Sequence, residues 1–176
     1  MAAKAFLPAA LSELISYFKD SASVFKQGWD STDESKPSFK IPVLPKEYKE
    51  VFGHCIRHAE PDVGDYLSRM LAWLQIHDSR LRGYIEQSGD ANYFNPDKLN
   101  LITYFYRLGE LQALVSKLFE FARNMGEFDS KPLEWEDFRN AYGNLDIWID
   151  ATHIDDKMNL EAFTKRAIAR NERQDT

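Results

Sequence analysis

Between Val63 and Tyr84 the sequence repeats a pattern that limits the fold more than any other feature. Val63, Leu67, Met70, Leu74, His77, Leu81 and Tyr84 alternate steps of four and three. On an α-helix that spacing draws the side chains into one stripe, and such a stripe has to be covered by another helix. Asp65 with Arg69, and Asp78 with Arg82, form pairs four apart on the outer surface of the same helix. A chain organised around this seam is expected to be a helical bundle.

The prolines agree with the seam. Five of the seven, Pro8, Pro45, Pro61, Pro96 and Pro132, stand where an amphipathic pattern begins. The first helical turn tolerates proline because its missing N–H would have no partner there. The spacing predicts a first helix from about Pro8 to Gln27, closed by Gly28. A shorter one follows from about Pro45 to Ala59, then the seam helix from Pro61 to Gln87. Asn95 is a good N-cap for the longest helix, Pro96 to Met125, which would be about 45 Å long. Its apolar residues, among them Leu99, Leu101, Phe105, Leu108 and Leu118, cover most of its circumference, so other helices should surround it. Short helices are expected over PLEWEDFRNAY and from about Asp156 to Arg170. Between them Leu145, Ile147 and Ile149 alternate as a strand would.

The expected fold class is therefore all-α: a helical bundle built around a long antiparallel hairpin (about 61–87 and 96–125), with an N-terminal helix and shorter C-terminal helices. One domain spans 1–176, with 28–45 an extended arm laid over the bundle by Phe39, Ile41, Val43 and Leu44, and 171–176 a frayed tail. Composition narrows the function classes. A net charge of −6 argues against nucleic-acid binding, which needs a concentrated basic face. No apolar run is long enough to span a bilayer. A single cysteine, Cys55, forms no internal disulfide, and a reducing, cytoplasmic setting is expected.

The most chemically suggestive stretch is GHCIRHAEPD, residues 53–62. Histidines four apart on a helix, His54 and His58, project from one face and can share a zinc ion. Further ligands would come from Asp150 and His153. Without metal, the two histidines are flanking surface residues of a helix that buries Tyr48, Val51, Phe52, Cys55 and Ile56.

Arg57-His58-Ala59-Glu60 resembles the Arg-His-Gly-Glu motif of the histidine phosphatase superfamily. The resemblance covers these residues alone. It implies that His58 accepts a phosphoryl group, that Arg57 holds the phosphate, and that His153 completes the pocket. The family motif ends a strand of a parallel α/β sheet, whereas KEYKEVFGHCI has helical periodicity, and Ala59 replaces the glycine.

Other candidates are weaker. Asp146, Asp150, His153, Asp155 and Asp156 form an acidic cluster that suits a hard cation or, more simply, caps the last helix. His77 sits on the apolar seam as a core histidine. Arg107 and Glu110 are spaced to pair within the otherwise apolar central helix. Trp29, Tyr93 and Phe94 are candidate interface aromatics. With no catalytic constellation, no phosphate loop and no required cofactor, the expectation is a non-enzymatic helical protein that acts through a protein partner. A second copy of itself is included, since the seam suits self-association. The alternative is a phosphatase or metal-dependent hydrolase centred on His58.

Overall fold

The computed structural model describes residues 2–31, 39–58, 60–89, 97–124 and 128–172. Among them are α1 (Ala2–Asp30), α2 (Tyr48–His58), α3 (Pro61–Gly89), α4 (Lys98–Asn124), α5 (Trp135–Asn144) and α6 (Leu160–Glu172). A small antiparallel ribbon of β1 (His153–Asp155) and β2 (Met158–Asn159) precedes α6, with His153 opposite Asn159. The fold is a helical bundle.

The first four helices run alternately up and down. α3 and α4 form the expected antiparallel hairpin: the Tyr66 hydroxyl donates to the Leu114 carbonyl near one end, and the Tyr84 and Tyr104 rings lie 6.0 Å apart near the other. α1 closes the ring of helices and packs along α4 more extensively than α3 does. Trp29, near the end of α1, meets Phe105 and Lys98 near the start of α4, so these two are antiparallel as well. The apolar face of α1 explains that preference, because Leu7, Leu11, Leu14, Phe18 and Phe25 are all at most 1% exposed. The seam of α3 is filled from within the same chain. Val63, Leu67, Met70, Leu74, His77 and Leu81 are all buried, so the seam is not a surface on which a second copy can dock.

α4 is walled in on most sides, as its composition predicts: Leu101, Ile102, Phe105, Leu108, Leu111, Val115 and Leu118 are at most 2% exposed. α5 and α6 form a further layer against it. The contact is close because Gly109 lacks a side chain where the Tyr142 ring lies; a Cβ there would collide with the ring. Beyond it the Tyr142 and Thr164 hydroxyls share a buried 2.6 Å hydrogen bond that joins α5 to α6.

Several boundaries differ from expectation, each for an identifiable reason. α1 begins before Pro8 and continues past Gln27. Gly28 is not a helix stop: its bare Cα accommodates the Tyr84 hydroxyl from α3. Asp97 accepts the Leu99 N–H at the start of α4; Asn95, the expected N-cap, lies outside the described residues. α5 begins after Pro132, where the Asp137 carboxylate caps the Glu134 N–H. Of the arm, 28–30 belong to α1 and 32–38 lie outside the described residues. Phe39 and Leu44 pack against the core while Ile41 and Val43 are exposed, because Pro42 between them turns inward.

The alternation of Leu145, Ile147 and Ile149 is not a strand. Leu145 and Ile147 are buried, but they follow a helix end in which Ile147 N–H donates to the Tyr142 carbonyl and Asp146 N–H to that of Gly143. Asp146 takes the left-handed conformation, φ 55°, that this termination requires. A 3₁₀ turn, Ile149–Ala151, comes next. α6 begins later than predicted, at Leu160, because Asn159 caps it through Ala162 N–H, while Asp155 holds the ribbon turn through the N–H groups of Lys157 and Met158. Asn171 and Glu172, predicted to fray, still belong to α6.

Candidate functional cleft

The residues singled out in GHCIRHAEPD lie along the flank of α2. Its buried side is Tyr48, Phe52 and Cys55, and burial raises the Cys55 thiol above its usual range. His54, Arg57 and His58 are exposed, with the two imidazoles 4.7 Å apart in an edge-to-face arrangement. His54 and Arg57 line a shallow cleft between α1 and α2 together with the exposed Phe6. His153 belongs elsewhere, to the ribbon beside α6, where it lines a separate cleft with Asp150, Asp155 and Glu161. Its Nδ1 lies 3.2 Å from the Asp150 carbonyl oxygen. Among the described residues no group of three or more His, Cys, Asp or Glu side chains is arranged to hold a metal ion.

His77 is buried on the α3 seam, packed against α1. The rings of Tyr17, Phe18 and Phe25 surround it edge-on at 5.7 to 6.3 Å. Its Nε2 has no hydrogen-bond partner, and burial pushes its pKa down to about 4. Of the aromatics expected at an interface, Trp29 folds back over the start of α4, half-buried, with the Lys98 ammonium 5.0 Å from its ring centre. Tyr93 and Phe94 lie outside the described residues.

A different set of side chains converges where the α3–α4 hairpin meets the α5–α6 layer. Tyr66, Arg69 and Trp73 of α3 face Tyr106, Glu110 and Leu114 of α4 across a cleft of about 380 Å³. The segment 130–133 and Phe138 close one side, and Ile168 and Asn171 of α6 the other. Local structure sets each wall. Tyr106 stacks on Phe138 with centroids 5.4 Å apart and planes 13° from parallel, which ties the floor to α5. Burial pushes the Tyr106 phenol up to about 12, so it stays protonated at neutral pH. Tyr66 is also raised by burial and donates to the Leu114 carbonyl.

Arg107 and Glu110 pair as the spacing predicts, at 2.8 Å. The guanidinium also lies against two rings, 4.4 Å from the centre of Trp73 and 5.1 Å from that of Tyr106. Glu110 thus contributes to the cleft wall with its charge answered. Of the two surface pairs predicted on α3, Arg82 and Asp78 meet at 2.9 Å. Arg69 forms no ion pair with Asp65 among the described residues and instead lies over the Tyr66 ring, 5.8 Å from its centre.

Most of the cleft was missed in sequence. Tyr66, Arg69 and Trp73 stand three and four apart, a second stripe beside the apolar seam, and that spacing was legible. Nothing local connects them to Lys131 or Ile168, which tertiary packing alone brings together. Comparison of the chain with protein-family models, with curated proteins and with solved structures finds no significant match. No helix among the described residues is long and apolar enough to cross a membrane.

Proposed function

We propose that this chain acts by binding another protein, receiving part of that partner in the cleft between the α3–α4 hairpin and the α5–α6 layer. The observation that carries this reading is the convergence of Tyr66, Arg69, Trp73 and Tyr106 on one space of about 380 Å³. Tyrosine, tryptophan and arginine are the residues on which interface energy concentrates, since each combines a large apolar body with a polar group. The volume lies within the roughly 300–1,000 Å³ range of ligand-sized pockets, suited to a few side chains of a partner. The walls are also held in place beforehand. Tyr106 is stacked on Phe138 and Trp73 is backed by Arg107, so little side-chain freedom remains to be lost on binding.

The test is site-specific cross-linking in the cells that make the protein. A photoreactive amino acid at Lys131, on the cleft's exposed edge, is expected to give a discrete adduct with a second protein. Arg69→Ala and Trp73→Ala, each shown to be folded by circular dichroism, should abolish it. The same probe at Lys19, exposed on α1, should give none. An adduct indifferent to both substitutions, or equal at the two probe positions, would overturn the reading.

A further inference from the structure

The charges around the cleft say more about its occupant. Resting on the reading above, we infer that the cleft receives an acidic peptide segment of the partner, one that presents a carboxylate directly beside a large apolar side chain. The chain as a whole is acidic, with net charge −6, but the cleft departs from that balance. Its lining contains two cations, Arg69 and Lys131, against one carboxylate, Glu110.

That carboxylate is already occupied, because Arg107 donates to Glu110 Oε2 at 2.8 Å. The other carboxylates close enough to affect the Tyr66 phenol are Asp129 and Asp137. Both are engaged. Asp129 accepts the Lys131 backbone N–H and lies 3.5 Å from the Lys117 ammonium. Asp137 accepts the Glu134 backbone N–H at 2.8 Å. Arg69 and Lys131, by contrast, have no ion-pair partner among the described residues. Both side chains are exposed, so neither charge has to be stripped of water before a partner arrives.

An incoming segment therefore meets apolar walls from Trp73, Tyr106 and Phe138 beside two positive charges that form no ion pair among the described residues. A carboxylate next to an aromatic or aliphatic side chain complements both. A basic segment would place like charges against Arg69 and Lys131, which interfaces avoid. Because the two cations are solvated, their attraction should act mainly through association rate and should weaken with salt.

The experiment selects short peptides from a random phage-displayed library on the full chain. The expected consensus places Asp or Glu directly beside Trp, Phe or Leu. A fluorescein-labelled peptide of that consensus should lose affinity by about ten-fold or more for the variant carrying both Arg69→Glu and Lys131→Glu. Exchanging the acidic residue of the peptide for lysine should restore binding to that variant. A basic or uncharged consensus whose binding still requires Trp73 overturns the acidic preference and leaves the binding cleft standing. The acidic preference is also overturned if the charge reversals leave affinity unchanged. Selection that yields no peptide dependent on Trp73 overturns both.

Discussion

The guanidinium of Arg107 is packed against the indole of Trp73, with its central carbon 4.4 Å from the ring centre. One side chain thereby joins α3 to α4 and also holds the Glu110 carboxylate at 2.8 Å. The stacking needs a planar group, so lysine, although it can still pair with Glu110, cannot reproduce the contact with Trp73. Arg107→Lys is expected to destabilise the fold by about 1 kcal/mol through the lost stacking. Arg107→Ala should cost about 2 kcal/mol, because it also leaves a largely buried carboxylate without its partner. Adding Glu110→Gln to Arg107→Ala should recover part of that loss. Urea unfolding of the four proteins checks this; equal midpoints would show that the clamp contributes nothing.

His77 supplies a pH dependence with a definite sign. An unfolded histidine titrates near 6.5, whereas burial among Tyr17, Phe18 and Phe25 holds the folded one down to about 4. Between those values the unfolded chain binds a proton that the folded chain does not. The stability contribution is complete above the unfolded value and is lost as pH falls toward the folded one. For this residue alone the loss from pH 7 to pH 5 is about 2 kcal/mol. His77→Leu removes the titrating group together with the unpartnered Nε2. The stability difference between His77→Leu and the wild type should grow in favour of the variant over that interval, read by urea unfolding at each pH. A difference independent of pH would show that His77 is not the group responsible.

How far the sequence reached depends on the range of the forces involved. The burial of Val63, Leu67, Met70, Leu74, His77 and Leu81 was legible because helical periodicity is local and a long stripe admits few alternatives. The same holds for the apolar circumference of α4 and the Arg107–Glu110 pair. Gly28 reads locally as a helix stop because the residue it accommodates, Tyr84, is more than a helix away in sequence. Leu145 and Ile147 do face inward in alternation, but a helix termination and a strand produce the same short pattern. The cleft draws on α3, α4, the 130–133 segment, α5 and α6, and in single elements it shows only as the Tyr66, Arg69 and Trp73 stripe and as Glu110, paired with Arg107 on the apolar central helix. His54 and His58 are adjacent as their spacing requires, whereas His153 is placed by a ribbon that periodicity does not describe.

Gly28 and Tyr84 should be energetically coupled. A Cβ on residue 28 would collide with the Tyr84 hydroxyl, and that hydroxyl is buried without a hydrogen-bond partner. Gly28→Ala is therefore expected to destabilise by about 1–3 kcal/mol, despite alanine's higher helix propensity. Tyr84→Phe removes the colliding atom and an unsatisfied polar group, so it should cost little. The double variant should be more stable than the sum of the single changes implies. A double-mutant cycle by urea unfolding gives the coupling, and strict additivity would mean that the two residues do not meet.

Asp146 offers a substitution that should stabilise. It stands at φ 55°, in the left-handed position that ends α5, where Ile147 N–H closes back on the Tyr142 carbonyl. A residue with a Cβ pays about 1–2 kcal/mol for that conformation, somewhat less for aspartate, and glycine does not. The Asp146 contact across the fold is made by its backbone carbonyl, which accepts the Lys26 ammonium at 3.1 Å and survives the change. Greater freedom of glycine in the unfolded chain offsets part of the gain. Asp146→Gly is therefore expected to raise stability by about 0.5–1 kcal/mol and Tm by about 1–4 °C. Asp146→Ala, which keeps a Cβ and lacks aspartate's tolerance of the left-handed region, should lower both. The opposite order of Tm for these two variants in calorimetry would mean that the helix end does not hold residue 146 in the left-handed region.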